Sequence, residues 1–189
     1  PIPIGKNVVV LGAGNVAMDS ARTAMRLGAD SVRVVYRRSR EEMPARAEEL
    51  HHAEQEKIEF TLLTAPTQFF GDDQGRVTGM ECLKMELGEP DDSGRRRPVP
   101  IKGSEYKIDC DLVVVSVGSN ANPLLTNSTP DIVLNKWGNI DGDLVSGKTS
   151  KKGVWAGGDI VTGAATVILA MGAGRGAADS MHDYLIRGW

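Results

Sequence analysis

An unbroken apolar run, Val8-Val9-Val10-Leu11, stops abruptly at Gly12-Ala13-Gly14. A short run without polar alternation is what a strand covered on both faces requires, so residues 6–12 are predicted as a first strand. Residues 14–27 follow as a helix carrying the small residues Ala17, Ala21 and Ala24, and Gly28 ends it. The β-type run SVRVVY at 31–36 starts a second strand, predicted over 31–37. Pro44 predicts the first turn of a second helix, 44–56, with Glu48, Glu49, Glu54 and Glu56 outward and Ala47, Leu50 and Ala53 on an apolar stripe. IEFTLL at 58–63 reads as a third strand.

The period then changes to alternation at 76–85 and, more weakly, at 99–108, with the runs 71–75 and 88–97 as the turns around them. This predicts an antiparallel excursion rather than another crossover helix. DLVVVSVG at 111–118 returns as a fully buried parallel strand. Residues 119–131 are polar and proline-containing, a linker pattern. A hairpin is expected at 132–141, turning at 136–138, and a brief strand at 153–159. From 164 to 186 an Ala/Gly-rich helix carries Val167, Ile168, Leu169, Met171 and Leu185.

The break at Gly12 carries chemistry. Strand, Gly12-Ala13-Gly14, then Asn15-Val16-Ala17 opening a helix is the geometry that seats a pyrophosphate. Gly12 allows the tight turn, Gly14 has no side chain to hold a phosphate off the backbone, and Ala17 lets the helix lie close on the sheet. The helix N–H groups and positive dipole end then face the phosphates. Asn15 either caps the helix or meets the pyrophosphate. The following strand and helix complete a βαβ unit, so the fold class is α/β, a Rossmann-like domain with a parallel sheet and an antiparallel β excursion.

The end of the second strand selects the nucleotide. A site for NAD usually places Asp or Glu there for the ribose 2′-hydroxyl. This chain has Tyr36-Arg37-Arg38-Ser39-Arg40 and no acid before Glu41. Guanidinium forks suit a 2′-phosphate, which makes NADPH the expected ligand, with Arg37 and Arg38 as its contacts and Arg40 turned away. The alternative is a solvated basic loop.

A second glycine cluster lies in GVWAGGDIVTGAATVILAMGAGRGAAD, 153–179. Gly158-Asp159 after a short strand can bring a carboxylate to a sugar hydroxyl. Thr166 and Val167 stand where a helix N-terminus stabilises negative charge, such as that on a reduced flavin. Read alone, the same stretch is a glycine turn and a closely packed Ala/Gly helix.

Composition narrows the classes. A formal net charge of −3 argues against nucleic acid or an anionic membrane as the main partner. No apolar run approaches the roughly 20 residues that span a bilayer, and no basic-then-apolar leader opens the chain. Cys82 and Cys110 lie far apart with no Cys-x-x-Cys, which fits a reducing cytoplasm and offers no disulfide, metal or iron–sulfur framework. His51 and His52 are adjacent and point to different faces, a poor metal pair; no metal ligands are assigned. Asp72-Asp73, Asp91-Asp92 and Arg95-Arg96-Arg97 sit in turn-like runs and read as solvated. The Tyr-x-x-x-Lys pattern of short-chain dehydrogenases is absent, as is a cysteine pair for thiol exchange. The opening Pro-Ile-Pro-Ile-Gly-Lys runs straight into the first strand, as expected of a piece of a longer polypeptide.

Five blocks in order, GAGNVAMDSAR (12–22), VYRRSREEMPARAEE (35–49), DLVVVSVGSNANP (111–123), NKWGNI (135–140) and GVWAGGDIVTGAATVILAMGAGRGAA (153–178), resemble the small (beta) subunit of NADPH-dependent glutamate synthase. They are similar also to its relatives, the NADPH:ferredoxin oxidoreductase subunit and the matching region of dihydropyrimidine dehydrogenase. The resemblance implies that residues 1–119 are an NADPH domain and 120–189 the returning, incomplete part of an FAD domain in a flavoprotein with two dinucleotide-binding domains. It implies that Gly12, Gly14, Asn15, Val16, Ala17, Arg37 and Arg38 serve NADPH. Gly158, Asp159, Thr166 and Val167 then serve the flavin, and Gly118 ends the returning strand at the cofactor. The parent enzyme passes hydride from NADPH to FAD and electrons through iron–sulfur clusters to a large glutamate-synthase-type subunit or ferredoxin. An upstream iron–sulfur region and first FAD segment are expected outside this chain. No side chain is assigned as catalytic, because hydride transfer needs stacking geometry and electrostatics rather than an obligate acid or base. The helix 164–186, deprived of the flavin domain it normally packs on, is expected to favour self-association or folding back. A non-catalytic NADP-binding or regulatory module is the alternative.

Overall fold

The computed structural model describes residues 4–91 and 93–188, so the opening Pro1-Ile2-Pro3 and Asp92 of the acidic pair lie outside the described residues. The elements in order are β1 (Asn7–Leu11), α1 (Asn15–Arg26), β2 (Ser31–Val35), α2 (Ala47–Gln55), β3 (Glu59–Thr61), β4 (Thr64–Gly71), β5 (Val77–Pro90), β6 (Arg96–Pro100), β7 (Tyr106–Asp109), β8 (Leu112–Val115), α3 (Pro123–Ser128), α4 (Asp159–Thr162) and α5 (Val167–Arg187). The chain divides into two compact units, one ending at Val117 and the other beginning at Gly118.

In the first unit a parallel sheet runs in the order β3-β2-β1-β8. Val10 pairs with Val34 on one side and Val114 on the other, which puts β1 inside the sheet. The apolar run is continuous because both its faces are covered. Val8 and Val10 pack with Ala17, Met18 and Ala21 of α1 and Leu50 and Ala53 of α2. Val9 and Leu11 pack with Met80, Cys82 and Ile108 of the antiparallel strands and with Cys110 just beyond β7. Those strands, β4, β7 and β6, all pair antiparallel with the long β5, so the excursion is present as the alternation predicts.

Several expectations need correction. The β8 segment is an edge strand rather than fully buried: Val115 is 64% exposed, although its composition is that of an interior strand. The Pro44 position does not open α2, which begins at Ala47, because Ala45 and Arg46 are bonded to the glycine turn instead. Strand β4 has no clear signal in TAPTQFFG; Pro66 and the polar positions are tolerated because it pairs only with β5 and carries an irregularity between Pro66 and Gln68. The 88–97 run contains the end of β5 and the start of β6 as well as the turn.

Burial holds the Cys82 thiol up at about 11 and pushes the Cys110 thiol up too. An unfolded thiol ionises near ~8.5. The folded state therefore keeps its full stability from this source below that pH and loses it as pH climbs toward the folded value. We expect both thiols to resist a disulfide reagent at neutral pH until the chain is unfolded; rapid labelling of the native protein would contradict this packing.

In the second unit, the expected linker contains α3, started by Pro123 with Asn122 accepting from the Leu124 N–H at 3.0 Å. The hairpin at 132–141 is present as the bridge Leu134–Ile140, turning through Gly138 at φ +83°. The 153–159 segment is not a strand; among the described residues it contributes only the isolated bridge of Trp155 with Lys148. The long helix starts at Val167, three residues later than expected, because α4 and the Gly163 turn occupy the preceding stretch. Its small-residue face is used. A Cβ on Gly157 would stand 2.8 Å from the Ala173 carbonyl oxygen, and the Trp155 Nε1–H donates to Ser180 Oγ at 3.0 Å.

Candidate functional site

The end of β1 is built by glycines used in two different ways. Gly12 has φ +124°, a region that side chains avoid, and a Cβ there would lie 2.2 Å from the Ser116 carbonyl oxygen. The protein itself requires this glycine, and its N–H donates to the Val35 carbonyl at 3.1 Å, which holds the turn on β2. Gly14 is different. Its backbone is extended (φ −85°, ψ 178°), and the nearest atom to a Cβ there is Pro44 Cγ at 3.9 Å. Nothing in the fold demands glycine at this position; the open space beside the backbone is what an approaching phosphate needs.

Helix α1 starts immediately beyond that space. Ala17 and Met18 donate to the Gly14 carbonyl, at 3.0 and 3.2 Å. Among the described residues no acceptor meets the N–H groups of Asn15 and Val16, and no side chain caps the helix. Asn15 neither caps nor stands free: its Oδ1 accepts from the Arg46 N–H at 2.9 Å. Val16 is 67% exposed at the helix mouth, while Ala17 is fully buried against the sheet. The turn thus presents two free donors at a positive dipole end, and Ala17 supplies the close packing.

Beyond β2 the structure separates the arginines. Tyr36 anchors the loop by donating its hydroxyl to the Glu42 carbonyl at 2.8 Å. Arg37 is exposed and pairs with no acid among the described residues. Arg38 is 5% exposed, with Nη2 on Asp91 Oδ2 at 2.5 Å and Nε donating to the Arg96 carbonyl at 2.7 Å. Asp91, held below its usual range chiefly by its bond from Ser93, is charged for this pair. Arg40 is turned away, as its position suggested, onto Glu54 at 2.6 Å and the Phe60 ring. The Ser39 hydroxyl is engaged by the Glu41 and Glu42 carboxylates. Sequence reading missed the part played by the β5–β6 tip in fixing Arg38, which pairing between residues this distant does not announce.

In the second unit, Gly118 has φ +87° with open space around it. Gly158 is buried at φ +85°, and a Cβ there would meet Ala170 Cβ at 3.4 Å, so the glycine turn lies against the first turns of α5. Asp159 is exposed and lines a cavity of about 230 Å³ with Ser119, Asn120, Trp137 and Asn139. Thr166 is the N-cap residue of α5 with its hydroxyl capping nothing, and Val167 is 77% exposed. Ligand cavities usually measure about 300–1,000 Å³, so this one fits a sugar or phosphate rather than a whole cofactor. Ile168, Leu169, Met171, Leu185 and Ile186 leave an exposed apolar flank on α5.

Among the described residues no group of three or more His, Cys, Asp or Glu stands ready to hold a metal ion, and no helix is long and apolar enough to cross a membrane. His51 and His52 are both exposed.

The sequence profile of the pyridine nucleotide-disulphide oxidoreductases matches residues 1–174. The chain is 50% identical over 184 residues to the NADP(+)-dependent formate dehydrogenase subunit beta of Moorella thermoacetica, covering 97% of this chain and 26% of that protein. It is 42% identical over 181 residues to the glutamate synthase [NADPH] small chain of Azospirillum brasilense, covering 95% of this chain and 37% of that one. The chain therefore spans less than half the length of these curated relatives. Among solved structures, T. acidophilum thioredoxin reductase superposes with a TM-score of 0.76 at 24% identity over 96% of this chain and 53% of its own, a likeness of fold.

Proposed function

The chain belongs to the pyridine nucleotide-disulphide oxidoreductase family, and from that premise we propose that it is the NADPH-binding portion of a larger flavin and iron–sulfur oxidoreductase of the glutamate synthase small-subunit type. The unit ending at Val117 serves as the nucleotide domain, and the unit from Gly118 as a returning part of the flavin domain. The observation that carries this is Gly14: a glycine the fold does not need, beside two helix N–H groups with no acceptor among the described residues. Those donors take the pyrophosphate, and Arg37, which meets no acid among the described residues, takes the 2′-phosphate, while Arg38 is held by Asp91.

NADPH supplies a hydride and FAD, when bound, accepts it. Asp159 is exposed and offers its carboxylate to a sugar hydroxyl, Thr166 and Val167 open α5 toward negative charge, and Gly118 lets backbone come close. These residues complete one wall of a flavin pocket; the remainder, and the iron–sulfur ligands, belong to parts of the protein beyond this chain. The electron acceptor is a large subunit of glutamate-synthase type or ferredoxin. Free buried thiols fit a reducing compartment, and we assign the protein to the cytoplasm. The apolar flank of α5 seats the rest of the flavin domain; without it, the chain self-associates or folds the flank back, and a strictly monomeric species with a mobile, unpacked α5 would count against this role.

Calorimetry tests the central reading. The 189-residue chain is expected to bind NADPH at least tenfold more tightly than NADH. Equal affinities, or no binding of either, would refute it.

A further inference from the structure

Four arginines lie between Tyr36 and Ala47, and the fold sorts them into pairs. Arg38 and Arg40 are neutralised by Asp91 and Glu54. Arg37 and Arg46 meet no acid among the described residues, and both are exposed. Arg37 stands at the end of β2, where an adenosine ribose is expected. Arg46 stands elsewhere, at the glycine turn.

Its place there is built. The Ala45 N–H donates to the Ala13 carbonyl at 3.1 Å, the Arg46 N–H donates to Asn15 Oδ1 at 2.9 Å, and Pro44 Cγ is the nearest atom to a Cβ on Gly14. Residues 44–46 are thus a strap laid along the turn, bonded to Ala13 and to the first residue of α1. Local helix physics does not account for an arginine at this position. Arg46 is the N-cap residue of α2, a role that Ser, Thr, Asp or Asn fills, and its side chain caps nothing. The neighbouring acid Glu49 is already engaged by Arg22 at 3.0 Å.

We infer that Arg46 is a second anion-recognising side chain of this site and that it takes the pyrophosphate of the dinucleotide, leaving the 2′-phosphate to Arg37. The inference rests on the reading that NADPH occupies the glycine turn. It assigns the two exposed guanidiniums to two different charges of one ligand. Arg37 then discriminates NADPH from NADH, whereas Arg46 contributes equally to both, because the pyrophosphate is common to them.

The test compares the 189-residue chain with its Arg46→Gln and Arg46→Lys variants, using NADPH, NADH and adenosine 2′-monophosphate, which carries the 2′-phosphate but no pyrophosphate. Arg46→Gln is expected to weaken NADPH and NADH alike by roughly tenfold and to leave adenosine 2′-monophosphate unchanged, with Arg46→Lys recovering part of the loss. Unchanged NADPH and NADH affinity in Arg46→Gln overturns the inference while leaving the NADPH reading intact. A parallel loss of adenosine 2′-monophosphate binding also overturns it, since the side chain would then serve the other phosphate or the fold. If the unaltered chain binds none of the three, the underlying reading falls, and this assignment with it.

Discussion

Gly12→Ala is expected to destabilise the N-terminal unit by about 2–6 kcal/mol, whereas Gly14→Ala leaves its stability nearly unchanged and removes most of its affinity for NADPH. The added methyl at position 12 would stand 2.2 Å from the Ser116 carbonyl oxygen, and φ +124° is a conformation that an L-residue reaches only under strain. Such backbone strain costs about 1–3 kcal/mol and overpacking a further ~1–3. Relief would require β8 to move away from β1, breaking the bond from the Ser116 N–H to the Leu11 carbonyl at 2.8 Å. At position 14 the same methyl meets only Pro44 Cγ at 3.9 Å, an ordinary contact, on an extended backbone. What it obstructs is the approach of a phosphate to the Asn15 and Val16 N–H groups. Thermal denaturation and calorimetry on the two variants separate the effects. A Gly14→Ala chain that binds NADPH like the unaltered one would show that no phosphate comes close there.

Arg37→Ala is expected to lower NADPH affinity by about 10- to 150-fold and leave NADH affinity within about twofold. A hydrogen bond to a charged group contributes about 1.5–3 kcal/mol, and every ~1.4 kcal/mol is tenfold in affinity. The exposed guanidinium carries no competing ion pair among the described residues, so its removal frees no buried partner and disturbs no packing. Arg37→Glu adds repulsion toward the 2′-phosphate and should invert the preference toward NADH. Arg38 behaves differently on substitution, because removing it strands Asp91 and the Arg96 carbonyl and loosens the β5–β6 tip. Isothermal titration with both nucleotides decides the matter; equal losses for NADPH and NADH in Arg37→Ala would remove Arg37 from the 2′-phosphate.

Much of the first unit is legible in its sequence because burial on two faces leaves a local signature. Val8 to Leu11 must be a doubly covered strand, and Gly12, Gly14 and Ala17 announce the turn and the close-packed helix behind it. Alternation beyond residue 76 announces the antiparallel excursion, since β7 and parts of β5 alternate buried and exposed positions. Where long-range pairing decides, local pattern fails. LVVV reads as an interior strand, yet β8 sits at the sheet edge. Pro44 reads as a helix start, yet the segment after it is drawn onto the glycine turn by Ala13 and Asn15. In the second unit, the packing reason for Gly157 is not local: the backbone of α5 at Ala173 occupies the space a side chain would need.

The amino-acid order alone therefore determined the βαβ unit, the phosphate-type turn and the cluster of arginines after the second strand, because strand burial, tight turns and helix starts are properties of neighbouring residues. Which guanidiniums remain available was decided only by the tertiary structure. Asp91 reaches Arg38 from 53 residues away, Glu54 neutralises Arg40 from the next helix, and Arg37 and Arg46 meet no acid among the described residues. A charge is free or spent according to what lies beside it in space, and that information is not local to the chain.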